Sequence, residues 1–185
     1  SASGTEMASP ETRQRPNILV TGSPGTGKST LAATLAEKLG FEQIECSKEI
    51  REHQLFSEFD ERLQTHVFDE DKLLDHIEER MDDESGGVIV DFHGCDFFPQ
   101  RWFDIVVVLR CDNTMLYDRM AARGYPPEKI RENIECEIFN SIGEEARESY
   151  DEEVILEVPS ETTEQMAENV DKVIDLATQW MQVRH

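Results

Sequence analysis

The chain has 185 residues, enough for one compact domain with a core of its own. It carries 40 acidic against 18 basic residues, a formal net charge of -22, which repels phosphate backbones and excludes direct, non-specific binding to nucleic acid or to anionic membranes. The same surface suits a basic protein partner, or plain solubility with no particular partner.

Residues 1–15 are polar and aperiodic and read as a disordered lead-in, with Met7 as the native start and residues 1–6 as a tag remnant. Residues 16–185 then read as a single domain. Short apolar runs predict strands at Asn17–Thr21, Phe41–Glu45, Gly87–Asp91, Ile105–Arg110 and Val154–Val158. Helical periodicity fills Lys28–Leu39, Lys48–Leu55, Glu70–Met81, Thr114–Arg123, Pro127–Ser149 and Thr163–Val183. Strand and helix in alternation predict an α/β fold: a five-stranded parallel sheet with helices on both faces, whose ligands bind beyond the carboxyl ends of the strands. Phe56–Phe68 fits neither period and reads as a loop or mobile flap. The longest apolar run, Ile105–Leu109, is far too short to cross a bilayer, and no secretory or transit segment is recognisable. Cys46, Cys95, Cys111 and Cys136 form no CxxC pair and no metal-ligand spacing, so reduced structural thiols in an intracellular setting are expected.

After the first strand comes GSPGTGKST, Gly22 to Thr30, which matches GxxxxGK[ST]. Strand before and helix after are the context a P-loop needs: glycines let backbone N–H groups turn towards phosphate oxygens, and the helix directs its positive end at them. Lys28 is placed to reach the β- and γ-phosphates of ATP and Ser29 to ligate Mg²⁺. A metal held on a P-loop also needs an acid at the end of a neighbouring apolar strand, and Val88-Ile89-Val90-Asp91 supplies one. The plainer reading of Asp91 is a cap on the following turn. His93, two residues on, shares the face of Asp91 in an extended chain and could orient or deprotonate water or a hydroxyl. It could equally be satisfied by local hydrogen bonds beside Cys95 and Asp96.

The absence of an [NT]KxD loop makes a GTPase a poor fit. Phosphoryl transfer between nucleotides needs cations on donor and acceptor sides. Arg51 falls on the helix after the second strand, where an acceptor flap would start. Arg119 and Arg123 precede Gly124-Tyr125-Pro126-Pro127, a break suited to a short lid at about 122–132. Exposed helix-face charges are the alternative for Arg51 and Arg119.

PNILVTGSPGTGKST, GGVIVDFHGCDFFPQRWFDIVVVLR, RGYPPEKIRENIECEIF and EEARESYDEE resemble the nuclear adenylate kinase family, isoenzyme six, whose members also resemble a ribosome-assembly ATPase of yeast. The resemblance runs from about Pro16 to near the C-terminus. It implies a broad-specificity adenylate kinase with ATPase activity, and a monomer is expected. It also implies binding to a small-subunit ribosomal protein, which the acidic surface suggests is basic, a role in late maturation of that subunit, and a largely nuclear location; nucleus and cytoplasm are the expected compartments. By resemblance Gly25, Gly27, Lys28, Ser29 and Thr30 hold the ATP phosphates and Arg123 reaches ATP from the lid; Gly22 and Thr26 of the motif and Arg119 are further nucleotide-binding candidates. Residues from about 46 to 68 form the acceptor flap with Arg51 as its phosphate ligand, and Asp91 and His93 match the family's Walker B pair, in which the histidine is tied to hydrolysis. The chain departs from metabolic adenylate kinases, which carry Gly-Phe/Tyr-Pro-Arg just after the corresponding Asp. Phe92-His93-Gly94 stands there instead, so one acceptor clamp is missing; Arg101 is a candidate substitute, and Arg147 has no assigned role.

Three functions are compatible with these residues. One is Mg²⁺-dependent transfer from ATP to AMP or another nucleoside monophosphate, with accompanying hydrolysis. A second is a nucleotide-gated assembly factor whose main reaction is ATP hydrolysis. A third is a P-loop kinase for some other small hydroxyl-bearing molecule.

Overall fold

Val, Ile and Leu fill both faces of the central strands because helices cover both sides of the sheet. The computed structural model describes residues 11–61 and 65–184. Five parallel strands run in the order β2 (Glu42–Glu45), β5 (Val88–Phe92), β1 (Ile18–Gly22), β6 (Ile105–Arg110) and β7 (Ile155–Pro159). On one face Leu19, Ile44, Val90, Val106 and Val108 pack with Ile50 of α2 (Cys46–His53) and with Leu73, Ile77 and Met81 of α3 (Glu70–Met81). On the other, Ile18, Val20, Ile89, Val107 and Leu109 meet Leu31 and Leu35 of α1 (Lys28–Leu39) and Val170, Val173 and Ala177 of α7 (Thr163–Arg184). Odd and even positions of each strand go to opposite faces, as the period of two requires. Each fully buried aliphatic side chain contributes about 1.5–3 kcal/mol, so the two faces together hold the sheet.

A smaller cluster lies outside this sandwich. Leu116 and Met120 of α4 (Asn113–Ala122) pack with Cys111 and with Ile130 of α5 (Pro127–Ile138). Between the helices Arg123 closes α4, and Gly124 takes φ +79°, a left-handed conformation that costs glycine little. The lid span expected at 122–132 therefore comprises the end of α4, this turn and the start of α5.

The sequence expectations need four corrections. Residues 11–15 are not a loose lead-in. Arg13 is buried, its Nη1 pairs with Asp104 Oδ2 at 2.6 Å, its Nη2 donates to the Arg101 carbonyl at 2.7 Å, and Arg15 bridges to Gly86 in parallel. Partners 71 to 91 residues away satisfy this segment, which local periodicity cannot register. Residues 1–10, with the tag remnant expected there, lie outside the described residues. Phe56–Phe68 is not a loop: β3 (Phe56–Asp60) and β4 (Thr65–Phe68) pair antiparallel as a separate two-stranded sheet. An irregularity in the pairing between Phe56 and Glu58 breaks the alternation that would have marked a strand. The helix expected over Pro127–Ser149 is two, α5 and α6 (Ser141–Ser149), because Asn140 turns left-handed at φ +51°. Finally, α2 starts at Cys46, directly off β2, rather than at Lys48.

Candidate functional site

The carboxyl ends of β1 and β5 lie side by side, with Val20 level with Asp91 and Thr21 with Phe92. The P-loop leaves the first and Asp91 stands one residue before the end of the second, so the fold alone brings cradle and acid together. Within the loop Gly25 and Gly27 take φ +86° and +89°. A side chain at either would strain the backbone, and one at Gly27 would press on Met166 at 3.2 Å. Thr26 Oγ1 donates to the Ser23 carbonyl at 2.7 Å, and Ser160 Oγ donates to the Thr26 carbonyl, tying the loop to the segment before α7. Gly22 and Thr30 stand at the two ends of the loop, the first buried in β1 and the second exposed on the first turn of α1.

Lys28 donates to the Ser23 carbonyl at 3.0 Å. Burial pulls its pKa down to about 8; Arg123 acts in the same direction, while Asp91 and Glu137 oppose it. An ammonium held in that state gains from any anion that comes within reach, which is what a phosphate-binding lysine should do.

Ser29 Oγ lies 3.2 Å from Asp91 Oδ1 and 3.4 Å from Glu45 Oε1. Gln43 Nε2 donates to Asp91 Oδ2 at 3.0 Å. Burial raises the Asp91 pKa, and the neighbouring Glu45 carboxylate adds to the shift against the hydrogen bonds from Gln43 and Ser29. A hydroxyl and two crowded carboxylates are hard oxygen donors, the set that Mg²⁺ accepts, and a cation there would relieve the crowding. Ser29 and Asp91 thus meet as expected from their spacing. Sequence reasoning missed Gln43 and Glu45. Their signal was available: both precede α2 at the carboxyl end of a strand, two residues apart and hence on one face.

His93 lies past the end of β5, exposed to the cleft, with its ring 4.2 Å from that of Phe92 and edge-on to Phe68 at 6.3 Å between centroids. Although one side of the ring opens to solvent, the protein crowded around the rest of it lowers its pKa to about 4 by desolvation, and the charges of Lys28 and Lys129 act in the same direction. The ring is therefore neutral near pH 7 and can accept a proton or a hydrogen bond. No local bond to Cys95 or Asp96 holds it among the described residues. Phe68 brings the flap hairpin to this point.

The arginines separate. Arg119 is a brace for the loop: Nη1 donates to the carbonyls of Gly25 at 2.8 Å and Ser160 at 3.3 Å, and Nη2 to that of Glu161 at 3.0 Å. Arg123 is exposed at the end of α4, close enough for its charge to act on Lys28. Arg51 is exposed on α2, with no ion pair among the described residues, and is not drawn to the P-loop cluster. Arg101 does not replace the missing acceptor clamp. It sits before the amino end of β6, opposite the P-loop end of the sheet, and pairs with Asp82 at 3.2 Å. Arg147 belongs to a surface network with Glu144 and Glu157. A further missed residue is Glu137 of α5, buried, which accepts from Ser23 Oγ at 2.9 Å and Arg110 Nε at 2.6 Å and so buttresses the loop from behind. The signal available was its spacing, seven residues after Ile130 and three after Ile134, which puts it on the packed face of α5. All four cysteines are free thiols, with Cys136 alone exposed.

A family profile described as an AAA domain matches residues 18–140. An adenylate kinase isoenzyme 6 homolog of Caenorhabditis elegans is 64% identical over 92% of this chain and 94% of its own length. Its Saccharomyces cerevisiae counterpart is 42% identical over 92% of this chain and 86% of its own length. Among solved structures, the shikimate kinase of Acinetobacter baumannii in complex with shikimate superposes with a TM-score of 0.61 at 20% identity, covering 90% of this chain and 95% of that one. A gluconokinase of Sinorhizobium meliloti gives 0.57 at 20% identity, covering 94% and 99%. At that identity the two small-molecule kinases are alike in fold alone, and the expected P-loop kinase architecture is the one observed.

Proposed function

The chain belongs to the adenylate kinase isoenzyme 6 family, and on that premise we propose that it transfers the γ-phosphoryl group of ATP to AMP or another nucleoside monophosphate, with accompanying ATP hydrolysis. The observation that carries the proposal is the convergence of Lys28, Ser29, Asp91 and Glu45 at the sheet end, with the flap hairpin beside it at Phe68.

The residues divide the work. Backbone N–H groups of Gly25–Thr30 hold the ATP phosphates, and Lys28 neutralises charge on the transferring group. Ser29, Asp91 and Glu45 would hold Mg²⁺, which supplies charge neutralisation across the β- and γ-phosphates. An acceptor phosphate oxygen attacks γ-phosphorus, the bond to the bridging oxygen breaks, and ADP departs with that electron pair. Arg123 closes on the donor from the lid, and Arg51 steadies the acceptor as the flap closes. When water takes the acceptor's place, neutral His93 accepts its proton or orients it.

A second reading draws support from Arg101. With that residue at the far end of the sheet, the acceptor side has one cation fewer than a metabolic kinase. This favours a nucleotide-gated assembly factor whose main reaction is hydrolysis. The charge of -22 suits a basic protein partner, in this reading a small-subunit ribosomal protein during late subunit maturation, in nucleus and cytoplasm.

Formation of ADP from Mg·ATP, measured with and without AMP, tests the proposal. A large AMP-dependent increase is the expected result. A rate unchanged by AMP or any other monophosphate would leave hydrolysis as the main reaction and overturn the kinase assignment.

A further inference from the structure

The histidines stand apart in the sequence, yet the fold gathers two of them around one carboxylate. Glu49 and His53 are one turn apart on α2, and His76 projects from α3. His76 Nε2 lies 2.7 Å and His53 Nε2 3.5 Å from the same oxygen, Glu49 Oε2. The imidazole rings face one another with centroids 4.3 Å apart. One donor atom from each of the three residues lies within 4.8 Å of the others. Arg80 approaches the other oxygen, Glu49 Oε1, at 3.8 Å, and also pairs with Glu42. The i,i+4 spacing on α2 brings His53 to Glu49, and the packing of α3 brings His76 to the same oxygen, so that two imidazoles from two helices share one carboxylate.

Two imidazole nitrogens and a carboxylate are a borderline donor set. They suit Zn²⁺ and its neighbours in the first transition row, and not Mg²⁺ or Ca²⁺. A tetrahedral ion with bonds of about 2.0–2.2 Å spaces its donors by roughly 3.3–3.5 Å. The separations from Glu49 Oε2, 2.7 and 3.5 Å, bracket that spacing. Small rotations suffice, and His53, its side chain 51% exposed, is free to make them. Its exposure also leaves an open side through which the ion enters and water completes the shell. The net charge of -22 raises the local concentration of any cation.

We propose that Glu49, His53 and His76 form a binding site for a divalent transition-metal ion of the zinc class. The position gives the site a consequence. Helix α2 leads into the flap hairpin and α3 leads out of it, so an ion there fastens the two ends of the flap together. Arg51 lies between two of the ligands.

The test is Zn²⁺ titration of the full chain by calorimetry in excess Mg²⁺ and ADP, which occupies the oxygen-donor site at Ser29 and Asp91. Co²⁺ serves as a second probe, read by its visible absorption. We expect one ion per chain, intense low-coordinate Co²⁺ bands, and a rise in melting temperature with Zn²⁺. His53→Gln and His76→Gln should each weaken binding by about 100-fold and abolish the thermal shift. His53 is at the exposed end of its helix, so its replacement leaves the fold intact; melting without metal verifies this, and that variant carries the test alone if His76→Gln does not fold. Retained affinity in the His53 variant overturns the proposal. So does the absence of Zn²⁺ binding above the Mg²⁺ background, or its loss on His93→Gln while both flap-base variants still bind.

Discussion

The P-loop side and the flap side of the sheet end, the proposed donor and acceptor sides, are built differently. On the donor side nearly every functional group is held by another: Arg119 and Ser160 brace the loop, Glu137 and Ser23 support it from behind, and Gln43 fixes Asp91. On the acceptor side Arg51 and His93 are exposed, and the flap is a two-stranded hairpin outside the main sheet. A two-stranded ribbon has little stability of its own. The braced loop is ready for phosphate as it stands, whereas the proposed acceptor subsite would assemble as ligand arrives. Such division suits a protein in which water and a monophosphate compete for one phosphoryl group.

Removing the shared element should erase the contrast. Lys28→Ala is expected to lower transfer and hydrolysis alike, by about 10³-fold or more, because both need charge neutralised on the γ-phosphoryl group. Retention of either activity, in a steady-state assay of each, would place that charge elsewhere. Arg13→Ala leaves Asp104 buried without its partner at the opposite end of the sheet, and should destabilise the chain by about 3–5 kcal/mol in denaturant unfolding. The KM values for ATP and AMP should hold at temperatures where the variant is folded, so that stability and site geometry are read separately.

His93→Gly should lower hydrolysis by about 100-fold and transfer by much less, since the monophosphate brings its own ionised oxygen while water needs an acceptor for its proton. Equal loss of both would remove the water-orienting role. Smallest is Arg51→Ala, expected to raise KM for the monophosphate by about tenfold with ATP hydrolysis unchanged. An unaltered KM would detach Arg51 from the acceptor subsite and leave that side with no assigned cation.

The sequence by itself determined the donor half. A P-loop is a contiguous motif whose glycines, lysine and serine act through local backbone geometry, so Gly25, Gly27, Lys28 and Ser29 are legible where they stand. Asp91 is legible too, because an apolar strand running into an acid is a local pattern. The parallel sheet followed from the alternation of short apolar runs with helical periods.

Tertiary structure alone decided what depends on partners distant in the chain. Arg13 finds Asp104, Glu137 comes behind Ser23, and Arg101 is carried to the wrong end of the sheet for an acceptor clamp. His53 and His76 meet over Glu49 for the same reason. Helix boundaries at Asn140 and the hairpin at Phe56–Phe68 also escaped the sequence, since each rests on one left-handed residue or one irregular pairing that interrupts the period. Periodicity reports which face of an element is apolar. It carries no information on which charged side chain will meet which across the folded chain, and in a protein with 40 acidic residues that choice is wide.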